Sequence, residues 1–168
     1  MNEVTQIIDA NFQPSLTEKL IFEEVIKFFK QEQLSFEQMR GVPIIKMSFQ
    51  GHNGIWNCYA SIRENQEQFI FYSICPVKAP ENKLVAVAEF LIRANYGMAI
   101  GNFELNFDDG EICFKTSIDV EGDRLSYALI KKIFYTNVSM MDEYLPGFLS
   151  VIDDNVFPKD AITKIENT

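Results

Sequence analysis

Much of what catalysis, metal binding or membrane insertion requires is scarce in this sequence. His52 is the only histidine in 168 residues, which excludes a histidine-rich metal site and any relay through two histidines. There are three cysteines, Cys58, Cys75 and Cys113, with no CxxC spacing. Their odd number and apolar neighbours read as buried, reduced thiols and a cytoplasmic setting. Cations are outnumbered, 15 Lys and Arg against 24 Asp and Glu, for a net charge of -9. Phosphate backbones and anionic bilayers are bound through clustered cations, so neither nucleic acid nor a membrane is expected as a partner. No apolar run approaches the ~20 residues of a membrane span. The start, Met1-Asn2-Glu3, lacks the basic-then-apolar order of a signal peptide. A glycine-rich phosphate loop is also missing, since Gly97 and Gly101 lie on a helix-to-strand link, the reverse of a nucleotide fingerprint.

What the sequence does hold is core. Hydrophobic residues make up 47% of it, and 15 Phe and six Tyr against one Trp predict an interior built from phenyl rings. The length suits a single domain, residues 1–153, followed by a loosely attached C-terminal tail, 154–168.

Residues 1–13 carry Ile7, Ile8 and Phe12 without periodicity and read as a lead-in. Ser15-Leu16-Thr17-Glu18 has the form of a capping box. Behind it Leu16, Leu20, Ile21, Phe28 and Phe29 share one side of a helix that fades near Gln31. Three strands follow. Ile45, Met47 and Phe49 alternate with Lys46, Ser48 and Gln50, and Gly51-His52-Asn53-Gly54 then turns the chain. Trp56, Cys58, Ala60 and Ile62 form the apolar face of the second strand, with Asn57, Tyr59, Ser61 and Arg63 opposite. The third, Phe69 to Cys75, is apolar on both faces. One face packs on helices, and the other must be covered by more chain, a second subunit or a ligand. A two-residue turn at Asn65-Gln66 turns Phe69 and Phe71 inward and leaves Ile70, Tyr72 and Ile74 outward beside Tyr59. Tyr59, Ile70, Tyr72 and Ile74 are therefore the candidate partner-binding residues.

Ala79-Pro80-Glu81 opens a second helix with its stripe at Leu84, Val87, Ala88, Leu91 and Ile92, and Asn95-Tyr96-Gly97 closes it. Phe103, Leu105 and Phe107 then alternate with polar residues, and Asp109-Gly110 suits a two-residue hairpin turn. That turn sets Phe107 against Ile112, Leu105 against Phe114 and Phe103 against Thr116. Beyond it Tyr127, Ile130, Phe134, Val138, Met141, Leu145, Phe148 and Ile152 recur at helical spacing, with a kink or restart predicted at Pro146. The order α-βββ-α-ββ-α predicts an α+β two-layer sandwich, a five-stranded antiparallel sheet with helices on one face.

Several of these residues, in this order, resemble the YbjN family of bacterial proteins. They are the helix end Leu91-Ile92-Arg93-Ala94-Asn95-Tyr96-Gly97, the hairpin from Gly101-Asn102-Phe103-Glu104-Leu105 through Asp109-Gly110, and Asp142 and Pro146 in the last helix. The similarity spans roughly residues 15 to 153. It implies a fold like that of the type III secretion chaperones, small acidic dimers that bind extended client segments. It also implies a regulatory role connected with sensory transduction, stress or motility. It brings no catalytic or binding motif.

The remaining chemistry reads as structure. His52 lies in a turn without a nucleophile beside it, and Asp119, Glu121 and Asp123 lack the spacing of a calcium loop. No cofactor, metal or catalytic function is expected. The reading is a non-enzymatic protein-interaction or chaperone-like regulatory module, homodimeric, with a protein client. Its alternative is a small-molecule-binding sensor with an apolar pocket between sheet and helices.

Overall fold

A computed structural model describes residues 16–167. The capping box at Ser15 and the lead-in 1–13 lie outside the described residues. In chain order the elements are α1 (Leu16–Gln31), β1 (Glu37–Gln38), β2 (Ile44–Gln50), β3 (Ile55–Arg63), β4 (Gln68–Ile74), α2 (Leu84–Asn95), β5 (Asn102–Leu105), β6 (Ile112–Asp119), α3 (Tyr127–Ile152) and α4 (Pro158–Glu166). The strands form one antiparallel sheet in the order β1-β2-β3-β4-β6-β5.

Six strands replace the five expected. The addition, β1, is a two-residue bridge pairing Glu37 with Lys46 and Gln38 with Ile45, too short to carry an alternating pattern. A second addition is α4. The segment expected to trail as a loose tail forms this helix, and Pro158, Ala161 and Ile162 are buried against the rest of the chain. Its first turn holds Pro158, where a missing amide costs nothing.

Period-2 burial on β2, β3, β4 and β6 sends Ile45, Met47, Trp56, Cys58, Ala60, Phe69, Phe71 and Phe114 into one core. The helices close over it with Val25, Phe28 and Phe29 from α1, Val87 and Phe90 from α2, and Phe134, Val138, Met141 and Phe148 from α3. Phe134 is the hub, its ring centroid 5.1 Å from Phe71, 5.6 Å from Phe28 and 5.9 Å from Phe29. These rings interlock in the layer between sheet and helices. Two buried polar side chains cross the layer, and Thr116 donates from Oγ1 to the Ile133 carbonyl at 3.1 Å. Buried Asn137 donates from Nδ2 to the carbonyls of Phe71 (2.8 Å) and Phe114 (3.0 Å), fixing α3 across β4 and β6.

Three local expectations change. The β5–β6 register is two residues shorter, with Leu105 opposite Ile112 and Phe103 opposite Phe114. Asn106 and Asp109 each cap a nearby amide, that of Asp108 and that of Glu111, and so hold open a wider loop. Gly110 (φ +72°) accepts the Ala79 N–H through its carbonyl, and a Cβ there would lie 2.0 Å from the Ala79 oxygen. The even shift keeps each face intact but puts Phe107 in solvent, 57% exposed. On α2 the stripe is Val87, Phe90, Leu91 and Ala94, and Ile92 points outward.

The third change concerns Pro146. The structure keeps α3 as one helix through it, neither split nor restarted. Proline removes the amide that would serve the carbonyl four residues earlier, here that of Asp142. Asn53, at the tip of the β2–β3 hairpin, donates its Nδ2 to this carbonyl at 2.9 Å. The Asp142 carboxylate accepts the backbone N–H groups of His52 (2.8 Å) and Asn53 (2.7 Å) in return. Gly51 allows the approach, since a Cβ there would meet Asp142 Oδ1 at 2.4 Å.

Candidate functional site

The register assigns the sheet's outer face residue by residue. Tyr59 pairs with Tyr72, Tyr72 with Lys115, and Lys46 with Tyr59, making one row of two tyrosines between two lysines. The next row runs Ile44, Ser61, Ile70, Ser117, and the row on the other side runs Ser48, Asn57, Ile74, Cys113, Glu104. The four residues singled out from the sequence thus share the face turned away from the ring cluster. The loop after β3 contains a 3-10 turn, Glu64–Gln66, with Glu67 at φ 49°, and it returns the chain in the register of the simple turn that was expected.

Within the four, burial differs. Ile70 and Tyr72 are 5% and 3% exposed and form a floor, whereas Tyr59 and Ile74 are half-buried. Beside Ile70, Ser61 is buried and its Oγ has no hydrogen-bond partner among the described residues. A buried hydroxyl left unpaired is costly and uncommon in a finished core. Separately, a pocket of about 240 Å³ opens over Ile70 and Tyr72, with Arg63, Gln68, Lys115, Ser117 and Asp119 around the rim. Gln68 donates to Asp119 at 3.0 Å and holds its carboxyl below the usual range. Lys115 is paired with Glu104, which also accepts from Asn102 at 3.3 Å.

Both sheet edges are blunted. At one lies the two-residue β1. At the other, Asn95 closes α2 and turns its amide onto β5. Its Oδ1 accepts the Phe103 N–H at 2.7 Å, and its Nδ2 donates to the Phe103 carbonyl at 3.0 Å. A side chain thereby occupies the groups that an added strand would use. Sequence reasoning read Asn95 only as part of a helix terminus. The one signal was an amide placed just ahead of a strand.

A second surface lies between α2 and α4. Val85, Ile92 and Tyr96 are 78%, 71% and 90% exposed, and with Ala88 they line a groove of about 730 Å³ whose other wall is Lys159, Ile162 and Thr163. The sequence reading missed it because it assigned Ile92 inward.

Chemistry elsewhere is sparse. Among the described residues no group of three or more His, Cys, Asp or Glu side chains could hold a metal ion, and no helix is long and apolar enough to cross a membrane. Burial pushes the Cys58 and Cys75 thiols up to about 12, and Cys113 is likewise raised, so none is a ready nucleophile. Glu32 accepts from Tyr127 and from Tyr135 (2.6 Å), with Lys131 3.4 Å away, and these donors hold its carboxyl below its ordinary value.

Fold and surface together define the class: an α+β sandwich whose helices lie on one sheet face, a fold shared with chaperone structures. The structure of the HopA1–SchA chaperone–effector complex matches with a TM-score of 0.53 at 13% identity, covering 80% of this chain and 99% of that one. The crystal structure of the ExsC–ExsE complex matches at 0.54 and 10% identity, covering 79% and 95%. The chain belongs to the YbjN family, described as "Putative bacterial sensory transduction regulator", which it matches over residues 22–150. The crystal structure of YbjN from E. coli is similar with a TM-score of 0.57 at 8% identity, covering 74% of this chain and 87% of that chain. No curated protein gives a significant match.

Proposed function

We propose that this chain is a non-enzymatic, chaperone-like regulatory module of the cytoplasm, self-associating and receiving a segment of a protein client on the outer face of its sheet. The observation that carries this reading is the pocket at Ile70 and Tyr72 on the outer face of the sheet, rimmed by Arg63, Gln68, Lys115, Ser117 and Asp119. An apolar floor with a polar rim suits one client side chain inserted among Tyr59, Ile70, Tyr72 and Ile74. Docking through side-chain pockets is favoured over strand addition, because Asn95 already occupies the β5 edge. The family's description supports a regulatory output, and stress or motility regulation is the setting proposed for it. Fold relatives solved as a chaperone–effector complex support a protein client.

Ser117→Trp tests the reading, because Ser117 is exposed, lines the pocket and takes no part in the core. Crosslinked wild-type protein from its native host should capture a partner that the variant loses, with unfolding temperatures unchanged. The identified partner, purified, should then bind wild type and not the variant. Identical captured sets from both proteins would refute the pocket as client seat.

A further inference from the structure

The charges on the sheet's outer face are balanced in number, but at the pocket one of them goes unanswered. Lys46, Arg63 and Lys115 share this face with Glu37, Glu104 and Asp119, so the excess acid of a chain at -9 lies elsewhere. Lys115 is held by Glu104. Both oxygens of Asp119 are taken, one by Gln68 Nε2 at 3.0 Å and the other by the Glu121 N–H at 2.9 Å. Arg63, the third charge on the rim, is half-buried, and its guanidinium makes no hydrogen bond or ion pair among the described residues. The register gives the reason. Arg63 stands opposite Gln68 and Gln68 opposite Asp119, which sets base and acid two strands apart, ~9.6 Å, with the glutamine between them bound to the acid.

A guanidinium held partly out of water without a partner is ready for an anion, which it binds through two parallel hydrogen bonds. Three features narrow the choice of anion. Asp119 shares the rim, so a dianionic phosphate meets more repulsion there than a carboxylate with a single charge. The cavity, about 240 Å³, is smaller than the ~300–1,000 Å³ of small-molecule sites and suits one side chain of a larger partner. Arg63 and Ile70 also lie on neighbouring rows of the same face, one repeat of ~6.8 Å apart, which is the spacing of residues i and i+2 in an extended segment. A segment laid along β3 and β4 therefore seats an apolar side chain over Ile70 and Tyr72 and brings the side chain two positions away beside Arg63.

We propose that the pocket recognises an acidic client motif, an Asp or Glu two residues from the apolar side chain seated on Ile70 and Tyr72, with the Arg63 guanidinium as receptor for the carboxylate. The inference rests on the client reading above and names the chemistry of that client. Ile70 and Tyr72 supply contact area that any apolar residue can use, whereas Arg63 sets which sequence is accepted. The net charge of -9 repels acidic segments at long range, so a client of this kind is held only where a local base meets it.

A random peptide library displayed on phage and selected on the full chain tests this, with Ser117→Trp as the blocked control. Peptides that bind wild type and not Ser117→Trp should be enriched in Asp or Glu two positions from an aliphatic or aromatic residue. A synthetic peptide of the enriched sequence should bind Arg63→Gln about tenfold or more weakly than wild type, and wild type should lose as much when the acid in the peptide is replaced by its amide. Arg63→Glu should reverse the choice and prefer the peptide with lysine in place of the acid. Unfolding temperatures of both Arg63 variants should match wild type, since the guanidinium has no partner to lose. Ser117-dependent peptides without acid enrichment, or with an affinity indifferent to Arg63→Gln, would overturn the motif and leave the client seat standing. A selection yielding no Ser117-dependent peptide would remove the client seat and the motif with it.

Discussion

Asn53→Ala measures how the hairpin tip lets a proline sit inside α3. The substitution deletes one donor, the Nδ2 that serves the Asp142 carbonyl at 2.9 Å, and leaves the backbone amides on the Asp142 carboxylate in place. A neutral hydrogen bond contributes about 0.5–1.5 kcal/mol net, and at this exposed site water replaces part of it, so the loss should be about 1 kcal/mol. For a chain of this size that lowers the unfolding midpoint by roughly 2–4 °C. The deciding measurement is a double-mutant cycle with Pro146→Ala by urea unfolding. Alanine restores the amide that serves the Asp142 carbonyl along the helix. In that background Asn53→Ala should cost less than about 0.5 kcal/mol, a coupling the cycle resolves. Equal costs in both backgrounds would show that Asn53 does not compensate Pro146, and the account of the unbroken helix would fall.

The remaining predictions concern the core, the loop and two kinds of titrating group. Phe134→Ala should cost about 3–5 kcal/mol in urea unfolding, because a ring packed on Phe28, Phe29 and Phe71 leaves a cavity that rigid neighbours cannot fill. Phe107→Ala, at an exposed ring, should stay within about 0.5 kcal/mol. Gly110→Ala should destabilise by more than about 1 kcal/mol through the positive φ and the Ala79 oxygen, visible as a lowered urea midpoint. Tyr127, then Tyr135, lower the Glu32 carboxyl, so its stabilisation is complete above the unfolded value and is lost as pH falls through the folded one. The stability gap between wild type and Glu32→Gln should accordingly be constant near neutrality and close below about pH 4. Cys58 and Cys75, raised to about 12, should resist thiol reagents at pH 8 until denaturant is added.

The fold was most legible where burial has a simple period. The strand faces of β2, β3 and β4 follow from Met47, Cys58, Phe69 and Phe71 alone, and the turn between β3 and β4 has the inferred register. Legibility failed where a distant group decides a local shape. The Asp109-Gly110 pair is compatible with a tight turn, but Asn106 and the Ala79 amide select a wider loop. Pro146 breaks a helix on local grounds, and only Asn53, 93 positions away (146 − 53), explains its tolerance. The outer-face residues were legible as a group because β4 is apolar at successive positions. The sequence holds no count of how deeply each is buried, so Ile70 and Tyr72 as floor, with Tyr59 and Ile74 half-exposed, emerge only from coordinates. The α2–α4 groove was hidden because its second wall comes from residues that read as a tail.

The outer side of α2 and the proposed client face lie on different elements of the fold. The inner side of α2 carries Val87, Phe90, Leu91 and Ala94 into the core, and its end carries Asn95 onto the β5 edge, which closes that edge to partners. Its outer side carries Ile92 and Val85 into the groove. The row from Lys46 through Tyr59 and Tyr72 to Lys115 lies on different elements and in a different layer. If self-association and client capture are energetically independent, a saturating client should leave the dimer constant unchanged, because a ligand shifts an equilibrium only by its differential affinity for the two states. A client-dependent dimer constant would instead make β4, β6 and α3, joined by Asn137, the physical link between the faces.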